Sequence, residues 1–187
     1  MTDALSPYSA VLLASYGGPR SPEDVLPFMR NATAGRGVPD ERLLEVSQHY
    51  QLFGGRSPIN EQNEALRDAL AAELERRGCA RPVTIGNRNW TPFFTDTVAE
   101  LRRNRHHKVV AVATAAYSCY SACRQYREDL DAAMRQVPGI AIDKVGPYAE
   151  RDGFVSANVD ALVQAVQTLR SRIGDGRLKV LFVTHSI

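Results

Sequence analysis

Four groups of residues follow directly on short apolar, β-branched runs, and each carries side chains able to do chemistry. They are Tyr16 with Gly17, Gly18 and Pro19; Asn87, Arg88, Asn89 and Trp90; Tyr117 through Cys123; and His185 with Ser186. In open α/β sheets, ligands bind in the crevice beyond the carboxyl ends of the strands, so these groups form either one binding edge or ordinary loop ends. A neutral imidazole at such an edge can accept a proton or hold a transition metal near neutral pH. His185 is therefore a candidate metal ligand and proton acceptor, or a cap on the last strand. Tyr16, at the corresponding point of the first strand, offers a phenol oxygen, or packs as a core or rim ring. The two could face one ligand.

Spacing removes several other chemistries. "SYGGPRS" matches neither G-x-G-x-x-G nor G-x-x-x-x-G-K-[ST], so nothing supports a dinucleotide or triphosphate cradled on a helix N-terminus. Four residues separate Cys119 from Arg124, one fewer than a cysteine-phosphatase loop needs, and Cys119 and Cys123 do not form C-x-x-C. His106 and His107, adjacent in the polar run "RRNRHHK", read as solvated histidines, since neighbouring positions rarely converge on one ion.

The elements that must position these residues alternate. Strands are expected at Ala10 to Ser15, "VTIG", "KVVAVATAA", "IAIDKV" and "KVLFVT", the fourth short enough for an edge strand. Ser21 and Pro22 read as an N-cap and first helical residue ahead of acidic Glu23 and Asp24. A helix from about Asp40 to Phe53 is closed by Gly54. Another follows Ser57-Pro58, with Leu66, Leu70 and Leu74 recurring every four residues, and Thr91-Pro92 opens a third. Helices from about Ala122 to Gln136 and from about Gly153 to Arg172, the latter with Val159, Leu162, Val166 and Leu169, complete the set. The order implies an α/β fold, a mostly parallel open sheet with helices on both faces.

With 187 residues and no linker, repeat or low-complexity tract, the chain reads as one domain. A net charge of +2, from 23 basic and 21 acidic side chains, gives no field favouring nucleic acid or an anionic bilayer. The N-terminal apolar run is too short for a signal segment or membrane span, so a cytoplasmic protein without integral membrane association is expected. Three cysteines in such a chain argue for reduced thiols or a metal role rather than a disulfide framework, and Cys79 reads as an ordinary thiol.

The segments "SYGGPRSPEDVLPFM", "GRGVP", "HYQLFGGRSPIN", "GNRNWTPFFTDTV", "SCYSACRQYREDL" and "THSI" occur in the order and at the spacing of ferrochelatases. The sequence most closely resembles the actinobacterial type of coproporphyrin III ferrochelatase. The resemblance implies insertion of Fe(II) into coproporphyrin III with release of two protons, on the coproporphyrin-dependent route to haem. It assigns His185 as metal ligand and proton acceptor. Tyr16 stands where relatives use a tyrosine as an axial iron ligand, and Ser57 and Tyr126 where they hold the porphyrin propionates, the alternatives being a helix N-cap for Ser57 and a packed ring for Tyr126. Arg36 and His49 lie near further propionate positions, and Trp90, Tyr117 and Tyr120 could wall the macrocycle or pack in the core. Many relatives carry a [2Fe-2S] cluster on cysteines, most of them in a second half, so a full-length protein could hold one with Cys119 or Cys123 as an upstream ligand. Two thiols at i, i+4 cannot complete four thiolates, and Cys119 stands where relatives have Ser, so no cluster is expected in this chain. Relatives have two similar α/β domains, with a glutamate of the second facing the histidine across the cleft. The resemblance therefore implies that residues 1–187 are an N-terminal chelatase-like domain missing its C-terminal half, with little or no activity alone. The alternatives are a porphyrin- or haem-binding module without catalysis, or a chelatase for another metal such as Co(II).

Overall fold

The computed structural model describes residues 3–183. Four strands, β1 (Ala10–Ser15), β2 (Val83–Asn87), β3 (Lys108–Ala113) and β4 (Ala141–Lys144), form a sheet in the order β2-β1-β3-β4. Every pairing is parallel, with Val11 opposite both Val83 and Val110. Parallel strands need crossovers, and the segments between them supply helices α1 (Val25–Ala32), α2 (Asp40–Gln51), α3 (Ile59–Arg76), α4 (Phe94–Arg103) and α5 (Tyr126–Gln136), while α6 (Asp152–Ile173) follows β4.

Every residue of β1 is buried, because the strand lies between β2 and β3 and is covered on both faces. Ala10, Leu12 and Ala14 face Phe94, Val98 and Leu101 of α4 and Tyr126, Leu130 and Ala133 of α5. The opposite face meets α3, where Asn63 reaches Ser15. A fully buried leucine such as Leu12 or Leu130 contributes about 1.5–3 kcal/mol by leaving water. A smaller cluster of Val25, Phe28, Met29 and Leu43 joins α1 to α2 beside the sheet edge.

The expected α/β class and the first four strands match the structure, and "IAIDKV" forms an edge strand. Three features of the structure stand out, the first of them a correction. First, among the described residues "KVLFVT" contributes no strand: Lys179–Val183 lack regular structure, and Phe182 is 89% exposed. Its residues suit a strand, but propensity becomes structure only where a neighbouring strand offers a ladder, and this segment pairs with neither sheet edge. Second, α3 does not turn its leucine row to the core. Leu66 is exposed, whereas Asn60 and Asn63 are buried, because the inward face meets backbone carbonyls and a hydroxyl that need donors. Third, α6 forms where expected but buries none of its residues, leaving Val159, Leu162 and Leu169 uncovered.

Candidate active site

From β1 the chain passes to β2 on one side and then crosses back to β3 on the other. The strand order therefore reverses between β1 and β3, and the crevice beyond their carboxyl ends is where such sheets bind ligands. The turn after β1 fills this position. Gly17 has φ +79°, a left-handed conformation that glycine adopts without strain, and a Cβ there would sit 2.9 Å from Asn87 Cβ. A Cβ on Gly18 would lie 2.6 Å from Ser57 Cβ and 2.8 Å from Ile59 Cγ2, so the turn fits closely between α3 and the loop after β2.

Carboxamides fix that turn from both sides. Asn60 Nδ2 donates to Gly18 O (2.9 Å), Asn63 Nδ2 to Ser15 Oγ (2.5 Å) and Asn89 Nδ2 to Tyr16 O (3.2 Å). The Ser57 amide donates to Pro19 O (2.9 Å), and Ser57 Oγ accepts from the Ile59 amide (3.4 Å) at the start of α3. Ser57 thus tethers the start of α3, just ahead of its N-cap Pro58, and also lines an open cavity of about 520 Å³ with His49, Tyr50, Phe53, Arg56, Pro58 and Glu61. Arg56 in this lining is paired with Glu61 (Nη2 to Oε1, 3.0 Å), so the cavity presents a hydroxyl, an imidazole and two rings beside a neutralised cation, a mixed polar and apolar lining.

Tyr16 is 40% exposed and stands edge-on to Phe28, with centroids 6.1 Å apart. Phe28 also meets Tyr50 (6.2 Å) and Trp90 (6.3 Å), so one α1 ring carries three aromatics around the edge. Desolvation raises the Tyr50 phenol above its ordinary range, with Tyr16 adding to the effect.

Tyr126 is 4% exposed and belongs to the main core, edge-on to Phe94 at 6.2 Å. Burial pushes its phenol up to about 12, opposed by Arg88 and by a hydrogen bond with Thr114. Arg88 links the two candidate tyrosines: its guanidinium carbon lies 5.8 Å from the Tyr16 ring centre and 5.5 Å from that of Tyr126. Arg88 Nε is 2.7 Å from Asp129 Oδ2, close enough for an ion pair, but the N–H points outside hydrogen-bond geometry, leaving both buried atoms without a directed partner. Burial raises the Asp129 carboxyl above its ordinary value, opposed by Arg88.

The structure thus brings Tyr16, Ser57 and Tyr126 to one end of the sheet, with Tyr126 inside the core. His185 lies outside the described residues. Of the secondary candidates, His49 lines the cavity, Trp90 packs on Phe28, and Arg36, Tyr117 and Tyr120 are exposed. His106 and His107 hydrogen-bond through Nδ1 to Ser9 Oγ and Gly139 O, away from the candidate site. Sequence reasoning missed Phe28, Tyr50 and Asp129, which sit inside helices away from strand ends, and placed Arg88 at the edge without a role. The segment before α5 is a six-residue π-helix, Tyr120–Gln125, beginning two residues earlier than expected, with Cys119 Sγ accepting from the Ala122 amide. The Ser118 hydroxyl lowers the Cys123 thiol below its ordinary value. Cys79 is buried elsewhere, and three cysteines cannot furnish four thiolates, so this chain alone does not fit a [2Fe-2S] cluster.

A parallel α/β sheet with a half-exposed phenol, a largely buried guanidinium and an open cavity at one end defines a protein of the open α/β class. A ferrochelatase family model matches residues 8–187, and the chain belongs to the ferrochelatase family. The coproporphyrin III ferrochelatase of Leifsonia xyli subsp. xyli is 50% identical over 187 residues, covering 96% of this chain and 48% of that protein. That of Streptomyces coelicolor is 47% identical, over 100% of this chain and 52% of its own length. The ferrochelatase of Rhodopirellula baltica is 43% identical, over 98% and 52% respectively. The chain spans about half the length of these curated relatives. Among the described residues, no helix is long and apolar enough to cross a membrane.

Proposed function

We propose that this chain forms one wall of a cleft in which Fe(II) is inserted into coproporphyrin III, giving the iron porphyrin and two protons. The observation that carries the reading is the Ser57 cavity beside the half-exposed Tyr16, at the switch point of a chain with these relatives. In this reading the cavity takes a propionate, with Ser57 donating a hydrogen bond, while Tyr16 faces the ring and can bind the metal. Tyr126 supports the propionate side from within the core. His185 guides Fe(II) and accepts pyrrole protons, as a neutral imidazole is suited to do. The substrate metal is iron, and the reaction takes place in the cytoplasm.

The reading includes a second half of polypeptide, of the kind that accounts for the relatives' greater length, which closes the cleft and covers the apolar face of α6. Residues 1–187 alone then have little or no insertion activity. The test joins this chain in frame to the C-terminal half of the Leifsonia xyli relative and follows Fe(II) insertion through the Soret band. The fusion is expected to insert iron, and His185→Ala in the fusion to abolish insertion. Insertion at an unaltered rate by the His185→Ala fusion contradicts the role of His185. Competition with Co(II) tests the choice of metal.

A further inference from the structure

We propose that Arg88, held by Asp129, is the positioning residue that sets Tyr16 for metal coordination, acting as one cation shared between the exposed Tyr16 ring and the buried Tyr126 ring. The inference rests on the proposed porphyrin-binding role of this edge and extends it to two residues that do not touch the ligand.

Arg88 immediately follows β2, and its amide donates to Ser15 O (3.0 Å), so its backbone is tied to the strand that carries Tyr16. Its side chain is only 10% exposed, unusual for a cation with open solvent nearby. The paired Nε and Oδ2 atoms are close but misaligned, and both are buried without a directed hydrogen bond. A buried ion pair is a poor source of stability compared with apolar packing, more so when its fork is not satisfied. Two rings stand beside the pair, their centres 5.8 and 5.5 Å from the guanidinium carbon, so the position of the cation answers to the rings as well as to the carboxylate.

The consequence falls on Tyr16. Phe28 fixes the ring from one side and Arg88 places a permanent positive charge beside it from the other. That contact limits the ring's rotation and so holds the phenol oxygen in one direction. Tyr126 anchors the cation from inside the core, and Asp129 balances it.

The test uses Fe(III)-coproporphyrin III bound to the 187-residue chain, with phenolate-to-iron charge transfer read by absorption and resonance Raman. The Tyr16→Phe variant assigns the band. Arg88→Gln combined with Asp129→Asn removes both charges and leaves no unpaired buried ion. This pair is expected to lose the Tyr16 band while still binding the porphyrin. Arg88→Lys, which keeps the ion pair but withdraws the planar fork, is expected to shift the band and serves if the double variant does not fold. A band identical to wild type in either variant overturns the proposal.

If the wild-type chain shows no band that Tyr16→Phe removes, the failure belongs to the role of Tyr16 as ligand. Carbon-13 ring resonances of Tyr16 and Tyr126 in the ligand-free chain then decide the role of Arg88. Both are expected to move in the Arg88 variants, and unmoved resonances overturn the positioning role.

Discussion

Replacing Gly18 with Ala adds one methyl group at the most crowded point of the candidate site. The new Cβ would stand 2.6 Å from Ser57 Cβ, 2.8 Å from Ile59 Cγ2 and 2.9 Å from Ser57 Oγ. The obstacles are short side chains on the first turn of α3, which have no flexible end to swing away. That turn is also pinned, by the Ser57 amide on Pro19 O and by Asn60 on Gly18 O. Relief therefore requires the start of α3 to move off the β1 turn, an overpacking cost of about 1–3 kcal/mol. With a urea m-value of about 2 kcal/mol/M, the unfolding midpoint falls by about 1 M. The displaced helix also carries Ser57 away from the cavity, so coproporphyrin III binding weakens beyond the loss of stability. Gly153→Ala is the control: it lies in α6 with nothing within 4 Å, and gains about 0.5 kcal/mol from helix propensity. Urea unfolding monitored by circular dichroism reads both. A Gly18→Ala midpoint at or above wild type would refute the packing argument, as would an equal fall in Gly153→Ala.

Three other outcomes are expected. Asn63→Ala removes the donor to buried Ser15 Oγ and costs about 1–3 kcal/mol in urea unfolding, and adding Ser15→Ala costs less than the sum of the single changes. The Tyr126 phenol, raised by burial from 10 to about 12, stays neutral in the fold while the unfolded chain ionises. Its stabilising effect is full below pH 10 and is lost as pH rises toward 12, at about 1.4 kcal/mol per pH unit; Tyr126→Phe removes that component from the alkaline decline in the urea midpoint. Leu130→Ala opens the buried core and lowers stability by about 2–5 kcal/mol, whereas Leu162→Lys with Val163→Lys on uncovered α6 leaves the unfolding midpoint near wild type.

The apolar β-branched runs carried the sheet because buried parallel strands read as continuous hydrophobic segments, and Ala10–Ser15 is buried throughout. The same signal misled at "KVLFVT", where residue type could not reveal that no strand pairs with the described part. Helical periodicity located α3 and α6 but not what covers them. Leu66, Leu70 and Leu74 mark an apolar row, yet the core-facing residues are Asn60 and Asn63, whose value lies in the carbonyl and hydroxyl they meet. Tyr16 was legible as a residue at a strand end and Ser57 as the start of a helix, while the binding roles given to them came from the family resemblance. Phe28, Tyr50 and Asp129 were not, since nothing local in a helix says which turn will reach a distant strand end. The ion pair of Arg88 with Asp129 joins residues 41 positions apart and exists only once α5 packs beside α4 and brings Asp129 to the end of β2.

The most direct test of the account is a Soret titration of coproporphyrin III into the 187-residue chain, beside Ser57→Ala and Tyr16→Phe. The Ser57 wall is expected to give a saturable shift, weakened about tenfold or more in Ser57→Ala by loss of a hydrogen bond to a charged carboxylate, and perturbed in shape by Tyr16→Phe. Absence of a saturable shift, or variants that titrate as wild type does, contradicts the placement of the porphyrin on this edge.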